Sequence, residues 1–285
     1  MDQISAKQIF EQYYRRTTRK FAQNFLFDAN INARIVSAAE DLRGKIVVEV
    51  GPGPGGLTLE ILKHDVKKLY LIEYDDHWVS VWRELKAQFG EKLEVIGCDA
   101  LHFNLADLSP NVVISNLPYN ISTQLLFRWL PNFDLGEKFV LMFQKEVADR
   151  LIAVPSTKAY GKLSILVQWK SRVRKVFDLE PGSFFPAPKV KSSVLQFSPF
   201  APNNGEYREN FECFSQMLTD AFAHRRKTIR GPLGKYFADP LEVLRSLGYN
   251  ENTRAEQITV ADFVKICQMY SDSKRSSTFM PHYRY

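Results

Sequence analysis

The segment VVISNLPYNIS (112–122) places Asn116, Pro118 and Tyr119 directly after a run of apolar residues. The Asn116 side-chain oxygen and the Leu117 carbonyl are two hydrogen-bond acceptors, and Pro118 restricts Leu117 to an extended backbone. Two acceptors aimed at the exocyclic amine of adenine localise its lone pair and stabilise the charge that develops during attack on a methyl donor. Tyr119 offers a flat face on which an extruded base stacks, worth roughly 1–3 kcal/mol. The segment therefore predicts methylation of an adenine amino group. In isolation, an Asn-x-Pro turn with a packed tyrosine would explain the same residues.

A glycine-rich stretch, EVGPGPGGLT, joins the first predicted strand to a helix. Gly51, Gly53 and Gly55 would let the backbone approach a ligand closely. The stretch lacks the Gly-Lys-Ser/Thr ending of the ATPase phosphate loop, and its G-x-G-x-G spacing differs from the G-x-G-x-x-G of dinucleotide sites. By itself it also fits a plain tight turn.

Carboxylates stand at the carboxyl ends of the next two predicted strands. Glu73 ends KLYLIE, where an acidic residue commonly hydrogen-bonds a ribose, and Asp99 follows KLEVIG. Either residue alone could cap a helix. Because ligands of open α/β sheets bind at the carboxyl ends of the strands, these residues and the glycines together describe an adenosine pocket without a phosphate grip. S-adenosylmethionine has an adenosine and a sulfonium but no phosphate, and it is the predicted cofactor.

Alternating hydrophobic periods position these motifs. Strands are predicted at 45–50, 68–73, 92–97, 111–116 and 138–144, with helices at 30–42, 57–63 and 76–89 and another from Ser122. Strands that alternate with helices predict a doubly wound, mostly parallel α/β sheet, and SRVRKVFDL and SSVLQFS are predicted to complete it. SPFAPNNGEY (198–207) marks a domain boundary, followed by helices to about Tyr270. The predicted divisions are a flexible N-terminal extension (1–18), a catalytic domain (19–200), a helical domain (201–270) and a flexible tail (271–285).

Composition sets broader limits. The chain has 285 residues, 45% hydrophobic and 25% charged, as expected of an ordinary globular protein with one large domain or a large and a small one. Three cysteines without a CxxC pair favour a reducing compartment and argue against a zinc site. We find neither a secretory signal nor an apolar run near the ~18–20 residues that span a bilayer, so a cytoplasmic location is predicted.

The distribution of basic residues indicates a polyanionic partner. Net charge is +6, and RRTTRK, KSRVRK and HRRKTIR are dense basic clusters. Any one cluster could be a solvated helix face. Three in one chain favour nucleic acid, because neutralised phosphates release counterions.

From about Arg19 to Lys265 the chain resembles the ribosomal RNA adenine dimethyltransferases of the KsgA type. The resemblance is carried by NLPYNIS, by RKFAQNFLFD with Ala22 where the family has Gly, and by FQKEVADRL and AYGKLS. It is also carried by SFFPAPKVKSSV, in which Phe185 stands where a small polar residue is more usual. The resemblance implies a Rossmann-like class I methyltransferase domain with a smaller all-helical, RNA-binding C-terminal domain. It further implies transfer of two methyl groups in succession to N6 of two adjacent adenosines in the 3′-terminal hairpin of small-subunit (16S) ribosomal RNA, within an immature 30S particle. A role in small-subunit biogenesis follows from this.

The site residues expected from the motifs and the resemblance fall into three groups. The cofactor contacts are Gln23, Asn24, Leu26, Gly51, Gly53, Glu73, Asp99, Ala100 and Asn116; the catalytic residues are Asn116, Leu117, Tyr119 and Phe184; the RNA contacts are Arg225, Arg226, Lys227 and Arg230. Phe184 is expected to stack on the other face of the target adenine. A monomer without a metal and without a membrane segment is expected.

Three alternatives remain open at this point. A resistance-type methyltransferase acting on large-subunit RNA would share the catalytic domain, but it usually has Ile at the position of Leu117 and a different C-terminal domain. A DNA adenine methyltransferase would more often show Asn-Pro-Pro-Tyr or Asp-Pro-Pro-Tyr. A binding factor without catalysis, in ribosome assembly or in transcription, is disfavoured by the intact set of Asn116, Tyr119 and Phe184.

Overall fold

The computed structural model describes residues 4–14, 24–200, 211–224 and 227–278. The chain divides into two compact units, one formed by Met1–Asp149 with Lys170–Ala201 and the other by Arg150–Trp169 with Pro202–Tyr285. The predicted boundary at 198–207 coincides with the end of the first unit. The predicted catalytic domain, 19–200, differs from this division because 150–169 groups with the C-terminal helices. Within the second unit the Tyr160 hydroxyl donates to the Ile258 carbonyl at 3.0 Å, which explains the grouping.

A seven-stranded sheet forms the centre of the first unit in its described part. Its strands are β2 (Ile46–Val50), β3 (Lys68–Glu73), β4 (Leu93–Gly97), β5 (Val112–Ser115), β6 (Lys138–Gln144), β7 (Ser171–Leu179) and β9 (Ser192–Pro199), in the order β4-β3-β2-β5-β6-β9-β7. The strands β4, β3, β2, β5 and β6 are parallel, whereas β9 is antiparallel to β6 and β7. This doubly wound, mostly parallel sheet confirms the predicted fold class.

Two short strands form a separate antiparallel pair, β1 (Phe25–Leu26) with β8 (Phe184–Phe185). The helices of the chain are α1 (Ala6–Tyr13), α2 (Ala29–Ser37), α3 (Gly56–Ile61), α4 (Asp76–Leu85), α5 (Ser122–Trp129), α6 (Lys145–Leu151), α7 (Lys162–Lys170), α8 (Phe211–Phe222), α9 (Arg230–Leu233), α10 (Pro240–Ser246) and α11 (Val260–Thr278). Short 3₁₀ segments lie at Lys86–Gln88, Gly90–Lys92, Leu105–Leu108, Leu130–Leu135, Pro181–Ser183 and Ala255–Gln257. Among the described ranges, none of the helices is long and apolar enough to cross a membrane.

The predicted flexible N-terminal extension is wrong for its described part. Ser5 and Gln8 form a capping box at the start of α1, which satisfies backbone donors that would otherwise be unpaired. Ile9 is fully buried and belongs to the hydrophobic core of the first unit, where Phe10 also packs. The polar, arginine-rich composition concealed this amphipathic helix, whose stability comes from tertiary packing.

The predicted flexible tail is also wrong up to Thr278, because α11 continues through its polar residues. The Ser271 hydroxyl donates to the Cys267 carbonyl at 3.1 Å, and the Lys274 ammonium lies 5.6 Å from the Tyr270 ring centroid. Local contacts of this kind support a polar helix that begins in a buried segment. Residues 279–285 lie outside the described part of the chain.

Candidate active site

A cleft of about 690 Å³, partly open to solvent, lies at the carboxyl ends of β2, β3 and β5. It is lined by Asn24, Phe25, Leu26, Asn32, Glu49, Gly51, Pro52, Gly53, Pro54, Gly56, Leu57, Glu73, Asn116, Leu117, Pro118 and Tyr119. The structure therefore brings eight of the predicted site residues together: Asn24, Leu26, Gly51, Gly53, Glu73, Asn116, Leu117 and Tyr119. Parallel strands end at one edge of the sheet, which is why residues far apart in sequence meet here.

The contacts of Asn116 orient its amide group. Its Nδ2 donates a hydrogen bond to the backbone carbonyl of Asn24 at 3.0 Å. Because a carbonyl can only accept, this bond assigns the nitrogen to the Asn24 side and leaves Oδ1 on the opposite side of the amide. The residue before it is also anchored, since the Ser115 hydroxyl donates to the Val50 carbonyl at 2.6 Å. Among the described residues no donor bonds the Asn116 oxygen, so it can receive one from a ligand.

Tyr119 is anchored at its far end. Its hydroxyl is hydrogen-bonded to the hydroxyl of Ser192, a buried residue at the start of β9. Burial raises the pKa of Tyr119 above its usual value of 10.0, so the phenol is neutral at physiological pH. The bond fixes the ring direction and keeps the side chain suited to stacking rather than to proton abstraction.

Contacts from two sides fix the glycine-rich loop. The Trp82 indole nitrogen donates to the Gly53 carbonyl at 2.8 Å, and the Gly53 amide donates to the Glu73 carboxyl at 3.3 Å. Gly55 has φ +90°, and a Cβ at this position would lie 2.2 Å from the Trp82 ring. Glycine is therefore required at Gly55 by both backbone conformation and space.

Two buried carboxyl groups face the cleft. Glu73 accepts from the backbone amides of Tyr74 and Asp75 at 2.8 and 2.9 Å, and burial raises its pKa to about 7 against the opposing effect of these bonds. Glu49 accepts from the Thr58 hydroxyl at 2.6 Å, and burial, aided by repulsion from Glu73, raises its pKa to about 8. A cationic ligand in the cleft would favour the ionised form of both groups.

Glu49 and Asn32 are cleft residues that the sequence reasoning did not select. Glu49 stands inside the glycine-rich motif as an acid within a buried apolar strand, and that contrast could have identified it. Asn32 is only 3% exposed, and its Nδ2 donates to the Leu26 carbonyl at 3.3 Å. Its buried Oδ1 has no hydrogen-bond partner among the described residues. No sequence signal marks Asn32, because it lies within an ordinary amphipathic helix.

Three predicted site residues lie outside the lining of the cleft. Asp99 accepts from the Leu101 amide at 2.9 Å, a contact within a turn that begins no helix. Ala100 is buried beside it. Phe184 is buried in β8, opposite Leu26. Their contacts with cofactor or substrate stay predictions.

The predicted RNA contacts belong to the second unit. Lys227 and Arg230 are exposed, and α9 begins at Arg230. Gln23, Arg225 and Arg226 lie outside the described residues. Within the described ranges, no group of three or more His, Cys, Asp or Glu side chains is arranged to hold a metal ion.

Comparison with known proteins gives consistent results. Residues 15–272 match the family model described as ribosomal RNA adenine dimethylase. The chain is 39% identical over 270 residues to a protein named ribosomal RNA small subunit methyltransferase A from Azorhizobium caulinodans, covering 91% of this chain and 90% of that one. It is 41% identical over 252 residues to the protein of the same name from Rhodospirillum rubrum, covering 88% and 86%.

Among solved structures, a dimethyladenosine transferase from Plasmodium falciparum is similar with a TM-score of 0.78 and 27% identity, covering 88% of this chain and 98% of that chain. The 23S rRNA methyltransferase ErmE is similar with a TM-score of 0.66 and 21% identity, covering 87% and 100%. At that identity the second likeness concerns the fold alone.

Proposed function

Because the chain belongs to the ribosomal RNA adenine dimethylase family, we propose that it transfers methyl groups from S-adenosylmethionine to N6 of two adjacent adenosines in the 3′-terminal hairpin of small-subunit ribosomal RNA. The observation that carries the proposal is the orientation of Asn116. The Asn116 amide nitrogen donates to the Asn24 carbonyl, so the Asn116 oxygen is available to an incoming amine.

The chemistry of the cleft fits S-adenosylmethionine. None of the described residues that line it is Lys or Arg, so the described part of the cleft offers no cationic side chain to a phosphate. Glu73 provides carboxylate oxygens for ribose hydroxyls, and Glu49 adds a second carboxyl that favours a cationic ligand. When bound, the cofactor supplies a methyl group on a positively charged sulfur.

The protein contributes alignment and acceptors to the transfer. Asn116 Oδ1 and the Leu117 carbonyl would accept the two hydrogens of the adenine amine, which localises its lone pair and stabilises the developing positive charge. Tyr119 would stack on the base. The transfer needs no protein general base. The amine becomes cationic and acidic as it gains the methyl group, and it then loses a proton to water. The second transfer acts on the monomethylated amine, which rotates in the pocket and offers its one remaining hydrogen to one of the two acceptors.

The small-subunit substrate is supported by the names of the relatives. The proteins that are 39% and 41% identical are named for the small ribosomal subunit, whereas the 23S enzyme is 21% identical. We extend the proposal to a monomeric protein acting on an immature 30S particle in the cytoplasm, with the second unit binding RNA through Lys227 and Arg230 and through Arg225 and Arg226. Lys227 and Arg230, the two of these that the structure describes, are exposed, so phosphates can reach them.

The test is transfer from radiolabelled cofactor to purified small subunits that lack the modification, followed by nucleoside analysis. Wild type, Asn116→Ala and the matched control Asn120→Ala are compared; Asn120 is exposed and outside the cleft. We expect dimethyladenosine from small subunits only, with Asn116→Ala slower by about 10²–10³ and the control unchanged. Transfer to large subunits would contradict the proposed substrate. Binding of small subunits without transfer would favour a non-catalytic factor.

A further inference from the structure

An aromatic platform, defined as Phe25, Phe27 and Phe185, lies across the short strands β1 and β8. Phe25 and Phe185 are cross-strand partners, and the Phe27 and Phe185 ring centroids are 6.4 Å apart. Phe185 is 54% exposed, an unusual degree of exposure for a large apolar side chain. It is also the position at which this chain departs from the small polar residue expected from the family resemblance. The catalytic proposal leaves this departure without a role.

The Phe10 side chain of helix α1 packs on this platform. The Phe10 ring centroid lies 5.5 Å from that of Phe25, 5.2 Å from that of Phe27 and 5.7 Å from that of Phe185. The contacts with Phe27 and Phe185 are edge-to-face, a favourable geometry for aromatic pairs. On its other side Phe10 stacks on Tyr14 at 4.1 Å. Phe185 thus serves as part of the docking surface for α1.

The platform contacts the residues that form the site. The Phe25 ring lies so close to the glycine-rich loop that a Cβ on Gly53 would be 2.8 Å from it. Asn24, which precedes Phe25, provides the carbonyl that orients Asn116. Leu26, which follows Phe25, lines the cleft and is the cross-strand partner of Phe184. A shift of β1 would therefore move the loop and release the Asn116 amide together.

We propose that α1 is a positioning element for methyl transfer, in which Phe10 fixes the platform and thereby sets β1 and β8 against the glycine-rich loop and Asn116. Phe10 is a positioning residue, since it acts through Phe25 and Phe185 and does not line the cleft. The role of α1 rests on the proposed function, because the cleft is taken as the site of S-adenosylmethionine.

The experiment compares wild type with Phe10→Ala, Phe10→Leu and the matched control Tyr13→Phe. Tyr13 lies on the same helix and its hydroxyl donates to Glu84 at 2.8 Å, so the control loosens α1 without changing the platform. Calorimetry gives the Kd for S-adenosylmethionine well below the melting temperature of each variant, and methyl transfer gives kcat and KM for small subunits. Since an aromatic pair contributes up to about 1.5 kcal/mol, Phe10→Ala should weaken cofactor binding by about tenfold and lower kcat, with KM for RNA unchanged.

The conservative variant and a double-mutant cycle separate positioning from general stability. Phe10→Leu should recover most of the affinity, and Tyr13→Phe should bind as wild type. Phe185→Ser should weaken binding less than Phe10→Ala, because it removes only one of the three Phe10 contacts with the platform. The loss in the double variant should be smaller than the sum of the two single losses, because both single variants remove the contact between Phe10 and Phe185. Unchanged cofactor affinity in folded Phe10→Ala, or fully additive losses in the double variant, would overturn the role of α1. Failure of the wild type to bind S-adenosylmethionine would instead overturn the proposed function.

Discussion

Replacement of Glu49 by Gln tests whether the Glu49 carboxyl stays protonated until a ligand binds in the cleft. Glu49 is 2% exposed, and burial raises the pKa of its carboxyl from 4.5 to about 8. The Thr58 hydroxyl, which donates to it at 2.6 Å, keeps an acceptor in the Gln variant. The substitution therefore removes the titration with little change in shape.

The sign and size of the effect follow from the two pKa values. Below pH 4.5 the group is protonated in both the folded and unfolded chain, and its full contribution to stability is present. Between pH 4.5 and about 8 the folded state binds one more proton than the unfolded state, so the free energy of unfolding falls as pH rises. The slope is about 1.4 kcal/mol per pH unit, with an upper limit of about 5 kcal/mol over the whole interval.

Urea unfolding at several pH values between 5 and 8.5 measures this slope. Tryptophan fluorescence is suitable because Trp78, Trp82 and Trp129 all lie in the first unit. We expect the slope of unfolding free energy against pH to be smaller for Glu49→Gln than for wild type by about 1.4 kcal/mol per pH unit, which corresponds to one proton. The control is Glu91→Gln, which removes an exposed carboxylate from the same unit and should leave the slope unchanged.

Parallel curves for wild type and Glu49→Gln would refute the reasoning. A second measurement checks the link to function. A cationic cofactor favours the ionised carboxyls, so its binding near pH 7 should release protons. Calorimetry in buffers of different ionisation enthalpy should detect this release, and Glu49→Gln should release fewer protons.

Two further outcomes follow from other contacts in the site. Gly55→Ala should lower the free energy of unfolding by about 2–4 kcal/mol in a urea titration, because it combines a residue at φ +90° with a Cβ 2.2 Å from the Trp82 ring; stability within 0.5 kcal/mol of wild type would contradict the described loop. Ser192→Ala should remove the partner of the Tyr119 hydroxyl and lower kcat/KM for small subunits about two- to tenfold, since a hydrogen bond contributes about 0.5–1.5 kcal/mol. Its Kd for the cofactor should stay unchanged, and a loss confined to cofactor binding would argue against an orienting role for Ser192.

The sheet could be predicted from sequence because buried parallel strands are continuous apolar runs. Strands β3 and β6 have the bounds predicted, 68–73 and 138–144. The two ends of the chain could not be predicted in the same way. Helix α1 is short and depends on distant partners such as Phe25 and Phe185. The C-terminal end of α11 has the polar composition typical of a disordered tail, but its backbone continues a helix that begins with buried residues. In both segments tertiary context outweighs local composition.

The candidate site was predictable to the extent that strand ends determine it. Gly51 and Asn116 each follow a parallel strand and Glu73 ends one, and the rule that such ends share one edge places them together. The rule says nothing about side-chain direction: Asp99 follows β4 but accepts from the Leu101 amide within its own turn, and its contact with the cofactor stays a prediction. The bond between Asn116 and Asn24 joins residues 92 positions apart and follows from no local pattern.

That long-range bond explains why the acceptor at position 116 is an amide and not a carboxylate. An Asp there would keep the oxygen needed by the amine, but its second oxygen would face the Asn24 carbonyl at about the 3.0 Å now bridged by a hydrogen bond. Two acceptors at that distance repel, so β1 would lose a contact that holds it to the site. The carboxylate would also add a third acid to a cleft in which Glu49 and Glu73 already repel each other. An amide supplies the acceptor for catalysis and the donor for positioning in one side chain, without a further buried charge.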